Sequence, residues 1–256
     1  MESFLQRLRD GELTLMMAIR SGRTADVVRI AKATGHHSVL IDLEHSAMSL
    51  DTAAQLAAAA GDLGMTPLVR VPEREYGAIG RLLDCGAQGI VAPRIDTAAE
   101  ARTVSRACRF PPRGQRSQVA TVPMLGMRPT PATELNPRLD EATIVQILVE
   151  TPAGVANAAD IAALDGVDML GIGANDLTAE LGAPGQYERV RDAVAVVGEV
   201  CRAHGKLLQL GGIGDLELLK TLVPLGVCPL YLTGSDTDLL HSGAAARASR
   251  FSKELT

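Results

Sequence analysis

Eight short runs of aliphatic and β-branched residues recur along the chain, at residues 13–19, 38–43, 66–71, 89–93, 143–149, 168–172, 207–210 and 230–233. Most are apolar almost throughout and do not alternate, the pattern of parallel strands covered on both faces. Their starts are mostly 22 to 28 residues apart, which leaves room for one helix and two turns between strands. The 54 residues from Gly89 to Thr143 break this rhythm and hold Pro111, Pro112, Pro123, Pro129, Pro131 and Pro137, so part of that stretch is expected to be an extended loop. Eight strand–helix units in 256 residues predict an α/β fold, a (β/α)8 TIM barrel formed as a single domain over residues 1–256. A doubly wound open sheet is the competing arrangement.

The helical stretches carry start and stop signals. Thr97-Ala-Ala-Glu100 reads as a capping box, and Thr151-Pro152 places a cap residue before a proline at the first helical position. Gly35, Gly64, Gly86 and Gly205 fall where helices should stop in a left-handed conformation. Long helical patterns cover residues 187–204 and 215–225.

Composition narrows the function. The net charge of −5 and an aromatic content of 2% without Trp disfavour a nucleic-acid partner, which calls for a basic face and stacking platforms. No apolar run reaches the roughly 20 residues of a membrane span. Residues 1–12 form a charged amphipathic stretch, unlike a signal peptide. Cys85, Cys108, Cys201 and Cys228 lack paired spacing and read as reduced core thiols of a cytoplasmic protein.

In a barrel of this kind, chemistry is built at the C-terminal ends of the strands. The polar residues there are Arg20 and Ser21; Asp42, Glu44 and His45; Arg70; Arg94; Glu150; Asn175 and Asp176; Gly211 and Gly212; and Gly234, Ser235 and Asp236. Glu150 and Asp176 end sequential strands, and neighbouring strands lie roughly 4.8 Å apart, so the two carboxylates can share one hard cation such as Mg2+ or Mn2+. Helix capping or ion pairing is the competing role for both. Of the five histidines, His45 is the one at a strand's C-terminal end, where it suits a general base or a loop hydrogen bond. Arg70 suits an oxyanion contact, an ion pair with Asp42 or Glu44, or both. Gly211-Gly212 and Gly234-Ser235 faintly match the phosphate grips of other barrels.

Several segments, spread over most of the chain, resemble the HpcH/HpaI aldolases, the metal-dependent class II pyruvate aldolases. They are Ile41-Asp-Leu-Glu-His-Ser46, Pro67-Leu-Val-Arg-Val71, Leu83-Asp-Cys-Gly-Ala-Gln-Gly-Ile90, Pro111-Pro-Arg-Gly114, Glu150-Thr151 and Gly173-Ala-Asn-Asp-Leu-Thr-Ala-Glu-Leu-Gly182. The resemblance implies a homohexamer, a dimer of trimers, whose final helix is exchanged between neighbouring barrels. It implies Glu150 and Asp176 as ligands of a divalent cation (Mg2+, Mn2+ or Co2+), His45 as base and Arg70 as the residue that steadies the enolate. Asp84 matches a carboxylate that reaches in from a neighbouring subunit to raise the basicity of the histidine. Asn175 matches the position where main-chain N–H groups hold the pyruvate carboxylate. Two residues depart from the family pattern: Leu148 stands where Gln is common, and Arg94 stands where an apolar residue is usual.

The reaction implied is reversible cleavage of a 4-hydroxy-2-oxo acid to pyruvate, or a related 2-oxo acid, and an aldehyde through a metal-stabilised enolate. No lysine stands at a strand end, which disfavours Schiff-base chemistry. The competing functions are another metal-dependent lyase on the same barrel, such as a decarboxylase or a citrate-lyase-like enzyme, and a non-catalytic 2-oxo acid binding barrel. Residues 111–137 and neighbouring subunits are expected to shape the mouth.

Overall fold

A computed structural model describes residues 4–255. Eight parallel strands pair in the order β7-β6-β5-β4-β3-β2-β1-β8. They are β1 (Thr14–Ile19), β2 (Ser38–Asp42), β3 (Thr66–Arg70), β4 (Gly89–Ala92), β5 (Ile144–Leu148), β6 (Met169–Gly173), β7 (Leu207–Gly211) and β8 (Leu230–Ser235). Between β7 and β8 the seam is nearly closed by one bridge, Leu208 to Val227, where the Cys228 N–H donates to the Leu208 carbonyl at 2.7 Å. The architecture is a TIM-like barrel, and the open doubly wound sheet is excluded by the β1–β8 pairing.

Side chains alternate across each strand, and this pleat divides the core in two. Met17, Ile19, Val39, Ile41, Val69, Ile90, Val145, Ile147, Leu170 and Ile172 face outward into the layer beneath the helices. Met16, Ala18, Leu40, Leu68, Val91, Ile144, Leu148, Met169 and Leu230 fill the barrel's interior. Leu8 of α1 (Phe4–Arg9) joins this inner cluster and closes the N-terminal end of the barrel. Residues 1–3 of the expected amphipathic stretch lie outside the described residues.

The outer helices are α2 (Ala25–Ala33), α3 (Leu50–Asp62), α4 (Ile79–Asp84), α5 (Ala98–Cys108), α6 (Ala132–Ala142), α7 (Pro152–Ala156), α8 (Ala158–Ala162), α9 (Ala174–Glu180), α10 (Arg191–Ala203), α11 (Leu216–Leu222) and α12 (Asp236–Leu255). The capping box is formed: the Thr97 hydroxyl accepts from Glu100 N–H while the Glu100 carboxylate accepts from Thr97 N–H. Thr151 caps α7 ahead of Pro152. Gly35, Gly64, Gly86 and Gly205 all take positive φ at helix ends.

Part of the proline-rich stretch is the expected loop, with no α-helix or strand between α5 and α6 among the described residues, but the rest is helical. It contains α6, with Pro137 inside it, and Leu135 and Leu139 pack on Phe110 and Val122. Pro123 and Met124 line a hollow of about 490 Å3 with Phe4, Met65 and Gln88, at the N-terminal ends of the strands. Within one chain this segment therefore lies away from the mouth. Cys85 is also exposed and not in the core, whereas Cys108, Cys201 and Cys228 are buried. No helix of the described residues is long and apolar enough to cross a membrane.

Candidate active site

The interior rows that pack the barrel lead, at their C-terminal ends, into polar side chains. Met16 and Ala18 continue to Arg20, Leu40 to Asp42, Leu68 to Arg70, and Ile144, Gln146 and Leu148 to Glu150. A period of two thus aims all four charged groups at the barrel axis. Arg20, Arg70 and Glu150 line a cavity of about 350 Å3 together with His45, Leu148, Asn175, Asp176 and Gly212, while Asp42 is fully buried against the two arginines. Of the residues singled out from sequence, His45, Arg70, Glu150, Asn175 and Asp176 are brought together here.

Arg70 makes both of the ion pairs open to it. Its Nε and Nη2 donate to the two oxygens of Asp42 at 3.0 and 2.6 Å, and Nε lies 3.1 Å from Glu44. Asp42 also accepts from Arg20 Nε at 2.8 Å and from the N–H groups of Glu44 and His45. Burial pushes the Asp42 carboxyl up, but the hydrogen bonds and charge of Arg70, and then Arg20, hold it down at about 2. His45 stands in the loop after β2, half exposed, with Nε2 3.7 Å from Glu44.

Glu150 is buried, and its Oε2 accepts from the backbone N–H of Arg94 at 3.0 Å. Arg94 holds that N–H in place with φ 50°, while its guanidinium is engaged by Glu180 at 2.8 Å. The guanidinium that stands where the family pattern has an apolar residue is therefore already paired. Beside Glu150, the inner face of β6 continues from Met169 to Gly171 and Gly173. A Cβ at Gly173 would collide with Glu150 Oε1, and one at Gly171 with Leu148 and Gln146. Burial above all, and then the charges of Asp176 and Glu44, push Glu150 up to about 7 against the Arg94 N–H.

Buried and partly buried carboxylates that repel one another in a cavity fit a bound cation, which would favour their charged forms. Among the described residues no group of three or more His, Cys, Asp and Glu side chains encloses a metal. Two carboxylates in an open pocket suit a hard divalent ion that fills its remaining positions with water and substrate oxygens, in contrast to a closed all-protein cage.

Other expectations fall elsewhere. Asp84 lies at the end of α4, where Arg116 donates to it at 2.7 Å, outside this chain's own cavity. Gly211 and Gly212 line the cavity, but Gly234 and Ser235 do not; the Ser235 hydroxyl is bonded to Asp238 at 2.7 Å. Two features had little sequence signal. Gln146 and Gln209 form a buried amide pair, 3.1 Å apart, on the cavity floor. Asp236 binds the N–H groups of Arg20, Ser21 and Gly22, fixing the turn after β1.

The profile of the HpcH/HpaI aldolase/citrate lyase family matches residues 15–210. The chain belongs to this family. Among family relatives, it is 38% identical over 239 residues to a 4-hydroxy-4-methyl-2-oxoglutarate aldolase of Hapsidospora irregularis, covering 91% of this chain and 88% of that protein. It is 33% identical over 257 residues to a 4-hydroxy-2-oxovalerate aldolase of Rhodococcus jostii, covering 98% and 96%. The crystal structure of an HpcH/HpaI aldolase from Desulfitobacterium hafniense superimposes with a TM-score of 0.90 at 25% identity, over 100% of this chain and 98% of that one.

Proposed function

We propose that this protein is a 4-hydroxy-2-oxo acid aldolase, a carbon–carbon lyase that releases pyruvate or a related 2-oxo acid and an aldehyde or ketone. The observation that carries this reading is the convergence of Glu150, Asp176, Arg70 and His45 on one cavity at the strand ends of a family barrel. Glu150 and Asp176 would hold Mg2+, Mn2+ or Co2+, which when bound supplies a Lewis acid for the 2-oxo group.

The protein's own groups do the rest. Arg70 cannot lose its charge, and Asp42 fixes it through two hydrogen bonds. It leaves Nη1 uncommitted among the described residues to meet the oxygen on which negative charge develops, with little reorganisation. His45 takes the proton of the 4-hydroxyl in cleavage, or a methyl proton in synthesis, directly or through a water. Asn175, with the main chain at the start of α9, receives the 2-oxo acid carboxylate. Leu148 leaves that part of the wall apolar where the family pattern has an amide, which shifts acceptor handling and not the reaction class.

The same reading treats residues 1–256 as one barrel domain of a cytoplasmic homohexamer, a dimer of trimers. Support comes from α12, whose 20 residues include none that is buried and which exposes Leu239, Leu240, Phe251 and Leu255; an uncovered apolar face of this kind suits exchange with a neighbouring barrel. Asp84 would then act on the histidine of an adjacent subunit. Light scattering on the full chain tests the assembly.

The deciding experiment follows the methyl protons of pyruvate in heavy water without any acceptor. Exchange that needs a divalent cation and disappears in Arg70→Ala is expected. A protein that cleaves no 4-hydroxy-2-oxo acid and exchanges no protons with any of the three cations is not an aldolase.

A further inference from the structure

Arg20 has no assigned part in the reaction, yet it is built into the cavity wall. It ends the inner row of β1, directly across the eight-stranded ring from β5 and Glu150. Its backbone is fixed, because its N–H and those of Ser21 and Gly22 all donate to the Asp236 carboxylate. Its Nε is fixed as well, donating to the buried Asp42 at 2.8 Å. The remaining fork, Nη1 and Nη2, has no hydrogen-bond partner among the described residues, and the side chain is 36% exposed.

The other guanidiniums nearby do not offer both Nη groups, since each has its Nη2 engaged by a carboxylate. Arg70 is gripped by Asp42 and Glu44, and Arg94 by Glu180. Arg20 is therefore the cavity-lining cation left with a planar pair of donors, the geometry that matches a carboxylate with two parallel hydrogen bonds. Its place on the opposite rim from Glu150 and Asp176 matters too. A substrate whose 2-oxo acid end is held by the β5 and β6 side extends its far end toward β1.

We infer that Arg20 is a specificity-determining residue that binds the distal carboxylate of 4-hydroxy-2-oxo diacids, so that the second product is itself an oxo acid. This rests on the aldolase reading above. In the cleavage the C3–C4 bond breaks and its electron pair passes to C3, which then takes up a proton. The 4-hydroxyl gives up its proton and becomes the carbonyl of the second product, whose carboxylate stays on Arg20 until release.

The test uses a matched pair of probes, 2-oxoglutarate and 2-oxopentanoate, which share a five-carbon 2-oxo chain and differ in a terminal carboxylate against a methyl. Calorimetry on the Mn2+-loaded protein should show a preference for the diacid of at least about tenfold. Arg20→Gln should remove that preference, and Arg20→Lys should keep part of it. In turnover, Arg20→Gln should raise KM for 4-hydroxy-2-oxoglutarate at least about tenfold more than for 4-hydroxy-2-oxopentanoate, while shifting both kcat values alike. Equal proportional losses for the two substrates would mean that Arg20 merely supports Asp42, and would overturn the assignment. So would a wild-type protein without diacid preference, or a preference that survives Arg20→Gln. Pyruvate proton exchange reports separately on the aldolase reading, and the binding ratio decides the role of Arg20 even if that exchange is absent.

Discussion

Glu150 occupies the space that a side chain at position 173 would need: a Cβ built on Gly173 collides with Glu150 Oε1 and comes within 3.0 Å of its Cδ. The backbone of Gly173 is ordinary, with φ −87° and ψ 99°, so a larger residue is excluded by contact and not by conformation. Gly173→Ala should therefore leave the barrel folded and push the carboxylate off its seat on the Arg94 N–H. Calorimetry with Mn2+ should show affinity falling at least about tenfold, and aldol cleavage about 100-fold, as expected when a positioned group moves by an ångström. The melting temperature should stay within a few degrees of wild type. Unchanged Mn2+ affinity would mean that Glu150 does not ligate the cation.

Asp42 is the anchor shared by Arg20 and Arg70, and its ionisation ties the site to stability. Its folded-state value of about 2 lies below the ordinary 3.8. The sign follows from linkage: the carboxylate contributes on the order of 2 kcal/mol that is fully present above about pH 4 and is lost as pH falls toward 2. Asp42→Asn should be less stable than wild type at pH 6, and the gap should narrow below pH 4. Urea unfolding at a series of pH values measures it, and a gap independent of pH would refute the ion-pair account. The same variant should lose most aldol cleavage, since Arg70 loses its alignment.

Much of this arrangement was legible in the sequence, for identifiable reasons. The eight strands stand out because a parallel strand buried on both faces must be apolar at nearly every position, as in the row from Ile144 to Leu148. Thr97, Glu100, Thr151 and Pro152 are legible because caps are local chemistry, satisfied within four residues. The contact between Arg94 N–H and Glu150 is not, since it joins residues 56 apart in sequence through the register of β4 on β5. Gly173 stood out only as part of a family segment, and the reason it must be small was not legible, because that need comes from a side chain on another strand. α6 was obscured by its prolines: Pro137 lacks the N–H of an internal helical bond, yet Leu135 and Leu139 bury enough apolar surface to hold the turn. Asp84 shows the limit of a single chain, because its matched role requires a second subunit while its contact here is Arg116.

Cation binding should be visible in stability without any turnover. A ligand that binds the folded protein at about 100 times its Kd stabilises it by about 2.7 kcal/mol, or roughly 5–10 °C for a chain of this size. Thermal denaturation should show this rise with Mn2+ and its reversal by EDTA. Asp176→Asn should abolish the rise, because one carboxylate of the pair is lost. A Mn2+ response that persists undiminished in that variant would place the cation elsewhere.

Arg109 provides a contrast, a charged residue whose work is structural. It is 3% exposed, and its Nη1 donates to the carbonyls of Asp140 and Thr143, both at 2.7 Å. Nη2 donates to the Gly166 carbonyl and, at 2.7 Å, to Asp168, which also accepts the Val145 N–H. One side chain thus ties the end of α5 to the end of α6 and to the starts of β5 and β6, far from the cavity at the strands' other ends. Arg109→Ala would leave three carbonyls and a carboxylate short of a donor, a loss of about 3–5 kcal/mol. The melting temperature should fall by roughly 10 °C. Below that transition kcat should stay within about twofold of wild type, since nothing at Glu150 or Arg70 has moved. A large loss of kcat in the folded variant would show instead that the N-terminal ends of β5 and β6 control the geometry of the site.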